Sequence, residues 1–333
     1  MSGITYKGPI NPNPKDDEAG IIIYGYVPSL ALGIIGIITF VLVAAGHAFW
    51  FLSPKGRVRG RRWFHGLLFI GALMEIGGYA ARLASHKRPF VISSFIAQYF
   101  LIVVAPVLFS AAIYLSLSLA ARGFEGGERL LVIRPKMVLA FFVSADVICT
   151  VIQVVGAALI GSSESAQVRG KPSSITPEQA NDILLAGLAV QCFSFTCFLL
   201  ILLVAIYRSS RRTAGSNSYA FNSASHHPKL RSFLWVILAT GLLILLRTTF
   251  RLAETGQGFF GFASTHESLF GTLEYLPVIL ALAIWAIFPP ARFLPPLGQE
   301  GGNVQDRPSV SSESGRGLTE KQARPLGLDR ERV

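Results

Sequence analysis

Three charged residues stand in one of the most apolar stretches of the chain: Arg247, Arg251 and Glu254 in LLRTTFRLAE, directly after SFLWVILATGLLIL. Their i, i+4, i+7 spacing puts them on one face of a helix. Other apolar stretches are interrupted in the same way, by Glu75 and Arg82, by Gln98, by Asp146 and Gln153, by Gln191, and by Glu267 and Glu274. Glu75/Arg82, Asp146/Gln153, Arg247/Glu254 and Glu267/Glu274 are each two helical turns apart, about 10 Å along one face. In hydrocarbon a charge at mid-depth costs about 2.5–3.5 kcal/mol, so five acids and three arginines facing lipid would cost on the order of 20 kcal/mol. They are expected to face inward, paired or wetted, with Arg247 or Arg251 paired to Glu274 or Glu75. The chemistry open to such a set is recognition of a polar head group. With all eight charged groups ionised the set is net −2, which favours an amine-bearing amphiphile over a phosphate.

The elements that position these residues follow from hydropathy. The 333 residues are 51% apolar, and seven apolar runs are each long enough to cross a bilayer as a helix: 27–51, 63–84, 92–121, 136–160, 181–207, 232–252 and 270–290. They lack the period-two alternation of a membrane β-barrel. The fold class is all-α, a polytopic membrane protein with seven transmembrane helices. Residues 1–26 read as an extracellular lead-in, 27–290 as the membrane domain, and 291–333, rich in Gly, Ser, Arg and Glu, as a disordered cytosolic tail. No cleavable signal peptide opens the chain, so the first span is expected to act as an uncleaved signal.

Charge sets the orientation. Five Lys/Arg fall in 52–62, four in 122–136, five in 208–231 and seven from Arg292 on. The alternate segments hold two in the lead-in, two in SHKRPFV, two in 161–180 and none in 253–269. Positive residues collect on the cytosolic side, so the N-terminus is expected outside and the tail inside. The net charge of +11 then reads as contact with the anionic cytosolic leaflet rather than with nucleic acid.

With this topology the polar residues form a layer from mid-depth to the outer surface, and the cytosolic half is expected to be almost purely apolar. Arg82, Arg251, Glu254 and Glu267 lie near helix ends, where snorkelling is an alternative to a site. Glu75 and Asp146 are too short to reach the surface, which leaves buried pairing or substrate contact. Gln98, Gln153 and Gln191 fit interhelical hydrogen bonds or ligand contact. Cys149, Cys192 and Cys197 fall inside spans and form no extracellular disulfide framework. The six histidines, His47, His65, His86, His226, His227 and His266, are scattered and are not expected to converge on a metal. No cofactor and no enzymatic activity are expected. No GxxxxGK[ST] run is present to bind a nucleotide. Pro106 and Pro277 each leave a helical carbonyl without its partner, so kinks are expected at both.

MEIGGYAARLAS, APVLFSAAIY, ADVICTVIQVVGAAL, AGLAVQ, and RTTFRLAETGQGFFG with the later HE together resemble the fungal lipid-translocating exporter family of seven-helix proteins, also called the resistance-to-aminocholesterol family. The similarity runs from YGYVPSLALGII to HESLFGTLEYLPVIL. It implies that Glu75, Gly78, Tyr79 and Arg82 form the family's Glu-x-x-Gly-Tyr-x-x-Arg signature, which adds Tyr79 to the candidate site. Two positions depart from the pattern: Glu274 stands where Asp is usual, and Gly271 where Tyr is common. The resemblance implies translocation of amphiphilic lipids, sphingoid bases or sterol-amine-like compounds, with tolerance to them. It places the protein in the plasma membrane, with an endomembrane as the alternative. The rival reading is a seven-helix lipid-sensing receptor signalling through its cytosolic loops and tail. Against it, no Asp-Arg-Tyr-like triplet ends the third span and no Asn-Pro-x-x-Tyr-like segment occurs in the seventh.

Overall fold

A computed structural model describes residues 9–15, 17–20, 22, 24–53, 59–124, 130–131, 133–168, 175–211, 228–258 and 261–294. The tail expected to be disordered lies, from residue 295 on, outside the described residues. The regular elements among the described residues are helices, with one isolated bridge between Glu18 and Val91. The helices are α1 (Leu30–Leu52), α2 (Arg59–Lys87), α3 (Ile92–Gly123), α4 (Pro135–Val168), α5 (Pro177–Arg211) and α6 (Pro228–Gly256). They are followed by a single turn α7 (Phe262–Thr265), the seventh span α8 (Glu267–Ile287), and a last turn α9 (Pro290–Phe293). Seven helices are long and apolar enough to cross a membrane, and the protein is an integral membrane protein.

Local sequence explains where the helices begin. Pro135, Pro177 and Pro228 open α4, α5 and α6, where a missing N–H costs no bond. Thr176 and Gln179 exchange side-chain to backbone hydrogen bonds of 3.1 and 3.2 Å at the start of α5, a reciprocal capping box. Ser29 caps α1 by accepting from the Leu32 N–H. Several helices outrun the apolar runs read from sequence. At 1.5 Å per residue, the 34 residues of α4 span about 50 Å against a hydrocarbon core of about 30 Å.

Consecutive helices pack side by side from α1 to α6, and α8 closes the bundle between α6 and α1. α3 also touches α6 and is the most enclosed span, with 72% of its apolar window buried against 28% for α1. Small residues set the closest approaches. A Cβ on Gly36 of α1 would collide with the Tyr79 ring of α2. A Cβ on Gly156 of α4 would lie 2.7 Å from the backbone nitrogen of Leu184 on α5.

The two interior prolines are resolved differently. Pro106 cannot donate to the Ile102 carbonyl, and Arg247 of α6 does so instead, its Nη2 lying 2.9 Å from that oxygen. Immediately before Pro277, α8 widens into a π-helical turn over Phe270–Tyr275, in which the Leu276 N–H reaches back to the Gly271 carbonyl. A wider turn there relieves the clash of the proline ring with the carbonyl four residues earlier.

Both ends of the described chain are tied to the bundle. Ala19 donates to the Phe90 carbonyl, Ile92 to the Asp17 carbonyl, and the Ser93 hydroxyl to Asp17 at 2.7 Å. The described residues between 9 and 26 thus form a strap over the α2–α3 connection. At the other end Phe293 stacks on Phe233, with centroids 5.3 Å apart, and Leu294 is buried.

Candidate functional site

At the strap end, helices 2 to 6 and the start of the seventh span surround a cavity of about 100 Å3. Tyr24 and Tyr26 come from the strap, Arg82 from α2, and Phe95, Gln98 and Tyr99 from α3. Ile160 lies in the C-terminal part of α4, Asn181 and Leu184 in the first turns of α5, and Arg251, Glu254 and Thr255 in the last turns of α6, with Gly258 just beyond it; Ser264 and Phe270 close the wall. Even-numbered helices contribute their C-terminal ends and odd-numbered ones their N-terminal ends, as strict alternation requires. Cavities this small hold several waters or one polar head group, not a whole lipid.

Three arginines meet three glutamates one to one. Arg82 Nη2 lies 2.6 Å from Glu267 Oε1 and 2.9 Å from the Tyr26 hydroxyl, and the Ser29 N–H donates to the same carboxylate. The Arg82 guanidinium lies 4.3 Å from the Phe270 ring centroid, within cation–π range. Arg247 pairs with Glu274 at 2.6 Å, one of the pairings expected from sequence, and both side chains are sealed from solvent. Arg251 pairs with Glu254 at 2.7 Å within α6 and lies 5.0 Å from the Tyr99 centroid. This last pair opens into the cavity, which both residues line, and the Glu254 side chain keeps 15% of its surface exposed; Glu267 keeps 23% but lies outside the lining. Snorkelling therefore does not describe Arg82 or Arg251, which are 1% and 7% exposed.

The strap supplies the aromatic wall. Gly25 adopts φ 73°, a left-handed conformation suited to glycine, and the tyrosines on either side of it both reach the cavity. Tyr24 donates to Gln98 Oε1 at 2.6 Å and lies 3.1 Å from Ser85 Oγ. Burial pushes the Tyr24 hydroxyl up to about 12 and raises that of Tyr26, so both stay neutral donors at physiological pH.

Of the residues singled out from sequence, Arg82, Gln98, Arg251 and Glu254 line this cavity. Glu75, Tyr79, Arg247 and Glu274 lie beneath it. Glu75, 2% exposed, sits within electrostatic reach of Arg247 and Glu274. Tyr79 packs against Phe40, Phe270 and Tyr275. Glu267 holds Arg82 from behind. Gln153 and Gln191 hydrogen-bond to each other at 2.7 Å between α4 and α5. Asp146 stands apart, accepting from Tyr114 at 2.8 Å.

Two expectations need correction. The far half of the bundle is not almost purely apolar: besides Tyr114–Asp146, His47 and His65 meet there with their Nδ1 atoms 3.2 Å apart, both buried. Their sequence positions conceal this, because α1 and α2 are antiparallel neighbours. The second correction concerns charge. The cavity lining holds two arginines and one glutamate, not a net negative set, because Glu75, Asp146, Glu267 and Glu274 all lie outside it, together with Arg247. Tyr24, Tyr26, Phe95, Tyr99 and Phe270 were not foreseen. The one available signal was YGY at 24–26, a glycine between aromatics just ahead of the first span.

Residues 68–296 match the model of the RTA1-like protein family. The chain belongs to that family. It is 27% identical over 221 residues to protein RTM1 of Saccharomyces cerevisiae, a match covering 66% of this chain and 65% of RTM1. It is 26% identical over 292 residues to the sphingoid long-chain base transporter RSB1 of the same yeast, covering 80% of this chain and 72% of that protein. It is also 26% identical over 223 residues to the yeast protoporphyrin uptake protein 1, covering 66% of each. No solved structure matches.

Proposed function

We propose that the protein translocates an amphiphilic lipid of the sphingoid-base type across the membrane, and that the strap-end cavity receives the head group. The observation that carries this is the open Arg251–Glu254 pair. Among the described residues Glu254 is the only carboxylate lining the cavity, and its partner lies within its own helix, three residues away. An ammonium group can take over Glu254 while Arg251 stays against the Tyr99 face. The surrounding aromatic rings favour the same cation. The similarity to RSB1 supports the lipid class. A cavity of about 100 Å3 accepts the head alone, so the alkyl chain stays on the lipid-facing surface.

The strap end faces outward in this reading. The Lys/Arg-rich segments 52–62, 122–136, 208–231 and the stretch from Arg292 all adjoin helix ends opposite the strap. That end then lies against an anionic cytosolic leaflet. Export through the plasma membrane would lower the cell content of the amphiphile and confer tolerance to it.

The test is reconstitution into phosphatidylcholine liposomes with a fluorescent sphingoid base in one leaflet. The protein should speed movement between leaflets, and Glu254→Gln should slow it about tenfold, the effect of losing one charge-assisted contact of about 1.4 kcal/mol. A rate equal to that of protein-free liposomes, or an unimpaired Glu254→Gln variant, would refute the proposal.

A further inference from the structure

The Tyr114–Asp146 pair belongs to none of the strap-end machinery. Tyr114 follows Gln98 by 16 residues on α3, about 24 Å farther along the axis. Asp146 is 1% exposed. Its Oδ2 accepts from the Tyr114 hydroxyl, while its Oδ1 is buried with no hydrogen-bond partner. Among the described residues no Lys, Arg or His lies within ion-pair distance.

The groups around it are few. On α3 they are Tyr114 and, beside it, Ser110. On α4 itself they are Cys149 and Thr150, whose hydroxyl donates to the Asp146 backbone carbonyl. From α5, Phe195 and Phe198 pack on the Tyr114 ring. The titratable neighbours are thus Tyr114 and Cys149, and neither is a cation.

Such a carboxyl has two chemically complete states that leave the Tyr114 bond in place. Ionised, its Oδ1 needs a further donor, which water entering the site supplies. Protonated, Oδ1 carries the proton and the site is neutral. We propose that Asp146 is a proton-carrying site that couples lipid movement to a proton gradient. The proton passes from water on one side to Oδ1, taking the site from −1 to neutral, and leaves to water on the other side as the bundle changes state. No electron transfer or co-reactant is involved. The coupling rests on the transport reading above, but protonation of the site does not.

Two measurements on the full chain in phosphatidylcholine liposomes test this. Infrared difference spectra from about pH 5 to about pH 9 should contain a carboxylic C=O band that shifts in D2O and is missing in Asp146→Asn. Asparagine keeps an acceptor for Tyr114, and unchanged circular dichroism verifies the fold. With a labelled sphingoid base and a gradient of about two pH units, one proton per lipid should raise its accumulation ratio about a hundredfold over protein-free liposomes under the same gradient. Asp146→Asn should show no gradient response beyond that of protein-free liposomes. A wild-type spectrum with no band assigned by Asp146→Asn, or a variant that keeps the gradient response, overturns the proposal. If the wild type moves no label at all, the transport reading and the coupling fail together. The spectrum then still decides whether Asp146 exchanges a proton.

Discussion

Arg247 ties together three features that have no direct contact in sequence: the carboxylate of Glu274 in the π turn, the Ile102 carbonyl freed by Pro106, and its own helix α6. Replacing it with Met strands a buried carboxylate, a loss of about 3–5 kcal/mol, and orphans a buried carbonyl, a further 1–3 kcal/mol or so. Because the two share one guanidinium they are not additive, and a total of about 4–6 kcal/mol is expected. Adding Glu274→Leu removes the stranded charge, so the double variant should return to within about 2 kcal/mol of wild type, the remainder being the Ile102 carbonyl. Pro106→Ala restores an N–H four residues after Ile102. It should therefore be more favourable by about 1 kcal/mol in the double variant than in the wild type, where Arg247 already fills that acceptor. The assay is reversible SDS unfolding in mixed micelles, followed by tryptophan fluorescence; Trp285 is 1% exposed. A double variant no more stable than Arg247→Met alone would refute the ion-pair argument. An equal effect of Pro106→Ala in both backgrounds would refute the carbonyl argument.

Two further outcomes are expected. Gly156→Ala forces a Cβ against the Leu184 backbone, and should cost about 1–3 kcal/mol in the same assay, whereas Gly33→Ala, whose Cβ meets its nearest atom at 3.4 Å, should stay within about 1 kcal/mol; equal costs would contradict the close α4–α5 crossing. Burial raises Tyr24 to about 12, so the folded state holds a proton that the unfolded chain releases near pH 10: this contribution to stability is complete below about pH 10 and is lost, to the extent of roughly 2–3 kcal/mol, as pH rises to about 12. Alkaline unfolding of Tyr24→Phe should lack that part of the pH dependence, and an identical profile would show that the strap does not bury the hydroxyl.

Much of the architecture was legible because hydrocarbon imposes one strong rule. Apolar runs of about 20 residues are helices, and their number and the placement of Lys/Arg follow by inspection. The same rule made the burial of Glu75, Asp146, Arg247 and Glu274 predictable, and all four are at most 4% exposed. It did not say who meets whom. Seven-residue spacing put Arg247 and Glu254 on one face, but the arginine that binds Glu254 is Arg251, three residues away, and Arg247 goes to the seventh span. Partner choice depends on helix rotation, which close contacts such as Gly36 on Tyr79 determine and which hydropathy does not encode. The histidines illustrate the same gap, as His47 and His65 are 18 residues apart and meet only through the pairing of α1 with α2.

The strap was illegible for a different reason. Composition marks residues 9–26 as polar and turn-rich, which is what a free terminus also looks like. What distinguishes them is a set of long-range bonds: Asp17 to Ser93, Tyr24 to Gln98, Tyr26 to Arg82. Each partner lies in the α2–α3 region, so the strap and the start of α3 form one wall. That arrangement bears on access. Tyr26 shares the Arg82 guanidinium with Glu267, and the Glu267 carboxylate in turn holds the first residues of α1 through the Ser29 N–H. A head group large enough to displace Tyr26 therefore also disturbs the contact between α1, α2 and α8. Under the proposed function, a small ammonium that takes Glu254 alone would leave that junction intact, so transport in the liposome assay should fall with head-group size more than with tail length.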